Sequence, residues 1–159
     1  MPLSTYIRTL ARRGRLRETP SLLGTPSFSF SAVAAEREDT TTSPSRSGVV
    51  ELLSTQDWKK LKQQSVAANR GILLQFTAAW CPPCRVISPV VSSLAEQNAS
   101  TLNFVKADID NVDISDVVSE HAVSAVPMFV GYAKDGSKRI TFTGADKTAL
   151  QQAVEELSK

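Results

Sequence analysis

The segment Trp80-Cys81-Pro82-Pro83-Cys84-Arg85 holds both cysteines of the chain. An apolar run, Ile72-Leu73-Leu74-Gln75-Phe76, stands just before it, and a helical pattern follows. No other stretch constrains the fold as strongly. A run that is apolar except for one glutamine reads as a buried parallel strand with both faces covered. Such a strand delivers the first thiol to the end of a sheet. The second thiol follows one helical turn later, and residues at i and i+3 share a helix face. Both sulfurs can therefore meet in a short disulfide ring. The pattern reads as a redox-active dithiol that cycles between thiol and disulfide. A zinc site needs four ligands, and the chain offers two Cys and one distant His, so no metal site is expected. Two cysteines this close cannot staple a secreted scaffold, which favours a catalytic pair over a structural one.

The 159 residues suffice for one domain and an appendage. Residues 1–47 carry seven Arg against four acids, and five of those Arg precede the first acid, Glu18. Tyr6, Ile7, Leu10 and Leu16 are spaced for an amphipathic helix. Ser, Thr, Pro and small residues dominate residues 19–47. An Arg-rich, acid-poor leader without a continuous apolar centre reads as an organelle transit peptide. A cationic amphipathic helix is drawn to anionic membranes and by a negative-inside potential. Mitochondrion, and so the matrix, is preferred over plastid because the Arg residues crowd the N-terminus. Residues 48–159 carry a net charge of −1, which implies neither nucleic acid nor an acidic membrane surface. No apolar stretch approaches the ~20 residues that span a bilayer, so no stable membrane association is expected.

From Gly48 onward the periodicities alternate. Residues 49–53 read as a first strand. Ser54 with Asp57 forms a capping-box signature, and Trp58, Leu61 and Ala68 follow at near-helical spacing, with Gly71 as the helix stop. Val86, Ile87, Val90, Val91 and Leu94 give one buried stripe on a second helix, which Pro89 should bend. Residues 102–107 form a third strand. Ile114, Val117, Val118 and His121 mark a third helix face. Residues 126–132 and 140–143 read as a hairpin around Lys134-Asp135-Gly136-Ser137. Ala149, Leu150, Ala153, Val154 and Leu157 mark a last amphipathic helix. The order β-α-β-α-β-α-β-β-α implies an α/β fold, a mixed sheet of about five strands with helices on both faces.

These residues resemble the thioredoxin family. The anchors are Phe76-Thr77-Ala78-Ala79-Trp80-Cys81-Pro82-Pro83-Cys84-Arg85, Pro89, Lys106-Ala107-Asp108-Ile109-Asp110, Ala125-Val126-Pro127 and Gly144-Ala145. A lone C-x-x-C is weak, but these anchors keep one order across the domain. With the leader, the chain looks most like the o-type mitochondrial members of plants and algae. The resemblance implies a thioredoxin fold and a dithiol–disulfide oxidoreductase that reduces disulfides in client proteins. It implies recharging by a thioredoxin reductase drawing on NADPH, no bound cofactor, and a monomer. Cys81 is then the nucleophile, expected to be the more exposed thiol, and Cys84 resolves the mixed disulfide. Val126-Pro127 resembles the family's cis-proline loop facing the dithiol, where backbone groups meet a bound peptide. Trp80 is expected as an exposed aromatic platform over the dithiol. Gly144 resembles the glycine of a substrate-facing loop, though a simple turn explains it nearly as well. Trp58 is assigned to packing.

Three positions depart from the common pattern. Gln75 stands where most relatives carry a buried Asp that handles the proton of the resolving thiol. A carboxamide can hydrogen-bond but cannot serve as a base. Lys106 matches the lysine that accompanies this Asp, and here it lacks the partner. Pro82 replaces a glycine, and with Pro83 it removes two N–H donors from the first helical turn. Met128 replaces a threonine after Pro127, more simply a core substitution than an adaptable contact. His121 is given no role. Asp108, Asp110, Asp113 and Asp116 lack the glycine and terminal Glu of a calcium loop and read as a solvated loop and helix start. The rival class is a binding protein on the same scaffold, in which two copies supply four thiolates to an iron–sulfur centre. A net oxidase is disfavoured by Pro83, where oxidising relatives often carry His.

Overall fold

A computed structural model describes residues 48–159. The leader expected over residues 1–47 lies outside the described residues. The elements are β1 (Val49–Glu51), α1 (Thr55–Ala67), β2 (Gly71–Thr77), α2 (Pro82–Gln97), β3 (Leu102–Asp108), a short 3-10 turn (Val112–Ile114), α3 (Ser115–Glu120), β4 (Met128–Tyr132), β5 (Lys138–Thr143) and α4 (Lys147–Ser158). The order is the one read from the sequence. The five strands lie as β1-β3-β2-β4-β5. β3 runs parallel to β1 and β2, while β4 is antiparallel to both β2 and β5.

β2 is central and every residue of it is buried. Successive strand side chains point to opposite faces. Ile72, Leu74 and Phe76 accordingly pack with Trp58 of α1 and Val117 of α3. Leu73 packs on the other face with Ile87 and Val91 of α2 and Leu150, Val154 and Leu157 of α4. The neighbouring strand repeats this division: Val105 and Ala107 face α1 and α3, and Phe104 faces α2. Two helices thus cover each face of the mixed sheet.

Local chemistry explains the starts. Ser54 accepts the N–H of Asp57 at 3.2 Å, and its hydroxyl donates to the Asp57 carboxylate at 2.8 Å, which begins α1. Asp146 accepts the N–H groups of Thr148 and Ala149 to begin α4. In the β4–β5 turn, Asp135 accepts the N–H and hydroxyl of Ser137. Those bonds, with Arg139 nearby, hold the Asp135 carboxyl below its ordinary range. Gly136 supplies the positive φ of 81°.

Several details differ from the sequence reading: β1 ends at Glu51 rather than Leu53, and β5 begins at Lys138 rather than Ile140. The chain leaves α1 through Asn69, which has the left-handed φ of 53°, while Gly71 lies within β2. A Cβ at Gly71 would stand 2.6 Å from a Leu102 methyl and 3.0 Å from the Tyr132 carbonyl, so this glycine permits close strand packing. The buried stripe of α2 is Cys84, Ile87, Val91 and Ala95, and Val86 is 64% exposed. Pro89 sits within α2 without ending it. Finally, β4 begins at Met128, because Val126 and Pro127 belong to the loop before it.

Candidate active site

Cys81 ends the short link from β2 and is the N-cap of α2, with extended backbone at φ −91° and ψ 103°. Pro82 and Pro83 occupy the first two helical positions, where a fixed φ suits the helix and a missing N–H costs no helical bond. Cys84 is the third. Its N–H donates to the Cys81 sulfur at 3.2 Å. The two sulfurs are joined in a disulfide, S–S 2.04 Å, with the Cα atoms 5.3 Å apart. The i, i+3 reading of the motif therefore holds. In this oxidised form neither cysteine is clearly the more exposed: Cys81 is 2% and Cys84 3% exposed. Both cysteines pack with Ala78, and Ile109 and Val126 lie against this cluster.

The rim is another matter. Trp80 is 62% exposed, and Pro82, Pro83, Arg85 and Val86 are exposed beside it. An apolar, partly aromatic collar thus surrounds a buried disulfide. The Val126–Pro127 peptide bond is cis, and Pro127 is buried. Its carbonyl accepts the N–H of Gly144 at 2.8 Å, which ties the loop after β5 to the loop before β4. Gly144 has φ 98°, and a Cβ there would meet nothing within 4 Å. Backbone conformation, then, accounts for this glycine without any crowding. Met128 is buried in the core shared with Trp58 and Val130, as a core substitution should be.

Gln75 and Lys106 are paired across β2 and β3. Gln75 is 5% exposed. Lys106 reaches outward to Glu51 at 3.6 Å, on the surface. Lys106 also lines a pocket of about 180 Å3 shared with Cys84, Arg85, Ser88, Thr77 and Asp108. Gln75 is not among its lining residues. Sequence reasoning did not single out Asp108 for this site. The signal was the two-residue strand period, which puts residue 108 on the same face as Lys106.

His121, given no role above, is the centre of a buried polar cluster. Its Nδ1–H donates to the Val117 carbonyl at 2.7 Å, which leaves Nε2 to accept the Tyr132 hydroxyl at 2.6 Å. Burial holds the His121 pKa below 6.5. The Val117 bond and the Glu120 charge act in the opposite direction, and Lys138 and Lys62 reinforce the depression. Burial, helped by Glu120, pushes Tyr132 up to about 12. Asp108 ends β3, half-buried, and accepts the Asp110 N–H at 3.1 Å, while in the loop beyond it Asn111 caps the turn at Asp113. No group of three or more His, Cys, Asp or Glu side chains among the described residues is arranged to hold a metal ion.

A family model described as Thioredoxin matches residues 49–156. Thioredoxin O1, mitochondrial, of Arabidopsis thaliana is 33% identical over 132 residues, 83% of this chain and 67% of that protein. TPR repeat-containing thioredoxin TDX of the same plant is 36% identical over 110 residues, 69% of this chain but only 28% of that longer protein. The crystal structure of oxidised thioredoxin O1 from Arabidopsis thaliana superposes with a TM-score of 0.63 at 37% identity. That match covers 70% of this chain and 99% of the other.

Proposed function

The chain belongs to the thioredoxin family and is a dithiol–disulfide oxidoreductase, and from that premise we propose that it reduces client-protein disulfides by attack of Cys81 and resolution by Cys84. The carrying observation is the Cys81–Cys84 bond at the N-terminus of α2. Reduction of that bond frees Cys81 as a thiol at an N-cap, where the Cys84 N–H and the positive helix end favour the thiolate. The thiolate attacks a client disulfide and forms a mixed disulfide. Cys84 then attacks the Cys81 sulfur, the client leaves reduced, and the bond seen here is restored. Electrons return from a thioredoxin reductase, and no bound cofactor takes part.

The collar supports client docking. Trp80, Pro82 and Pro83 offer apolar contact, and the Val126–Pro127 loop with Gly144 borders the disulfide as a place for an extended peptide. We assign the protein to the mitochondrial matrix on the Arg-rich residues 1–47 and the similarity to a mitochondrial relative. Two experiments test these readings. A Cys84→Ser protein should hold clients as mixed disulfides through Cys81, and the native protein should speed insulin reduction by dithiothreitol. Failure of both would remove the enzymatic assignment. Residues 1–47 fused to a reporter should carry it into mitochondria, and a diffuse cytosolic signal would remove the location.

A further inference from the structure

On the reading just given, Cys84 must lose its thiol proton before it can attack, because the thiolate is the nucleophile. Cys84 is buried, so the proton needs an acceptor or a route. Gln75 supplies neither a base nor a wall of the pocket beside Cys84. That pocket, about 180 Å3, is large enough for water several times over, and Thr77, Arg85, Ser88, Lys106 and Asp108 give it polar walls. Among its lining residues Asp108 alone carries a carboxylate.

The fold explains why Asp108 is there. Phe104 of β3 packs on the α2 face of the sheet. Residues 106 and 108 follow at the strand period and share that face. β3 ends at Asp108, paired with Thr77 at the end of β2, the point from which the chain turns up to Cys81. One carboxylate oxygen, Oδ1, accepts the Asp110 N–H at 3.1 Å, which anchors the side chain.

We propose that Asp108 is the proton acceptor for Cys84 in the resolving step, acting through water in this pocket. The proposal rests on the roles assigned to Cys81 and Cys84. The Cys84 proton passes to the Asp108 carboxylate. The thiolate electron pair forms the Cys84–Cys81 bond, and the Cys81–client bond breaks. The client sulfur leaves as a thiolate and takes a proton from solvent, while Asp108 returns its proton to solvent. The two electrons gained by the client come from the two cysteines, so no other reductant enters. Lys106 and Arg85 add positive charge that favours the Cys84 anion.

The test separates the two steps. Single-turnover reduction of a disulfide peptide by the reduced full chain is followed against pH, for the native protein, Asp108→Asn and Asp108→Glu. Client trapping by Cys81 is timed separately in Cys84→Ser, with and without Asp108→Asn. Asp108→Asn should slow client release roughly tenfold or more near neutral pH. The deficit should vanish at alkaline pH, where hydroxide deprotonates Cys84. Asp108→Glu should recover most of the rate, and the trapping rate should not change. A release profile identical to native overturns the proposal, as does an equal slowing of trapping and release at every pH. If Cys84→Ser traps no client at all, the assignment of Cys81 fails instead, a different result from either.

Discussion

At the scale of single residues, the two prolines between the cysteines do unequal things. An N-cap acceptor takes its hydrogen bonds from the second and third helical N–H groups. α4 uses both: Thr148 and Ala149 reach Asp146 at 2.8 and 3.1 Å. In α2 the second position is Pro83, so only Cys84 donates to the Cys81 sulfur. Pro82, at the first position, withholds an N–H that would not face the cap. The sequence alone suggested that Pro82 was the interesting departure, and the helix register moves the effect to Pro83. Pro83→Ala should therefore give the Cys81 thiolate a second donor and lower the pH at which it forms. Pro82→Gly should change it little. Ultraviolet thiolate absorbance of the reduced proteins against pH measures both. A larger shift in Pro82→Gly than in Pro83→Ala would overturn this account of the cap.

At the scale of elements, the helix ends carry most of what the sequence concealed. After α1, the N–H of Asn69 bonds Val66 and that of Arg70 bonds Ser65. After α3, the N–H of Ala122 bonds Ser119 and that of Val123 bonds Val118. Both are Schellman closures, which place one residue in the left-handed region. Asn69 suits that place, but Ala122, at φ 49°, carries a Cβ that opposes it. Ala122→Gly should stabilise the protein by about 1 kcal/mol, seen as a rise of a few degrees in Tm. A fall in Tm would mean that chain entropy outweighs the relief. Conversely, Gly71→Ala should destabilise by roughly 1–3 kcal/mol, because its Cβ meets Leu102 and two backbone oxygens within a packed strand. These two sites show what was legible. Hydrophobic period and turn residues gave every strand and helix in order, since burial on a face is written locally. A left-handed alanine and a glycine kept for a neighbour's approach leave no local mark. The same holds for α2, where Val86 looks like core by spacing. Ile87, Val91 and Ala95 pack on the sheet, and at that helical phase Cys84, not Val86, is buried. The C-x-x-C was legible because its chemistry is in the residue type, whereas the cis Pro127 and the exposed Trp80 were expected only from the family resemblance. The strand period puts Asp108 on the Lys106 face, but its sharing of one pocket with Cys84 depends on where β3 ends relative to α2.

At the scale of the whole molecule, one buried pair, His121 and Tyr132, ties its α1–α3 face to its pH response. Trp58, the fully buried anchor of α1, packs edge-on against both His121 and Tyr132. Phe76 of the central strand stands 5.1 Å from the His121 ring. The His121–Tyr132 bond therefore lies where α1, α3, β2 and β4 converge, and with Tyr132 donating it joins a neutral imidazole to a protonated phenol. Linkage fixes the signs. The unfolded chain binds a proton at His121 near 6.5, and the folded chain resists it. This contribution is complete above 6.5 and is lost as pH falls below it. Tyr132 loses its proton near 10 when unfolded and near about 12 when folded. Its contribution is complete below 10 and is lost as pH rises from there toward 12. Burial of this one pair, the first cause of both shifts, thus bounds stability on both sides. In urea titrations across pH, His121→Phe should lose the acid limb that begins below 6.5, because nothing at that position then titrates. It should also lower stability at neutral pH by roughly 1–3 kcal/mol, since the Tyr132 hydroxyl is left buried without its acceptor. Adding Tyr132→Phe should restore part of that loss and abolish the alkaline limb, because a hydroxyl that is absent needs no partner. If the single His121→Phe variant keeps the native acid profile, the imidazole does not carry the proton linkage, and the surface carboxylates must account for all of it.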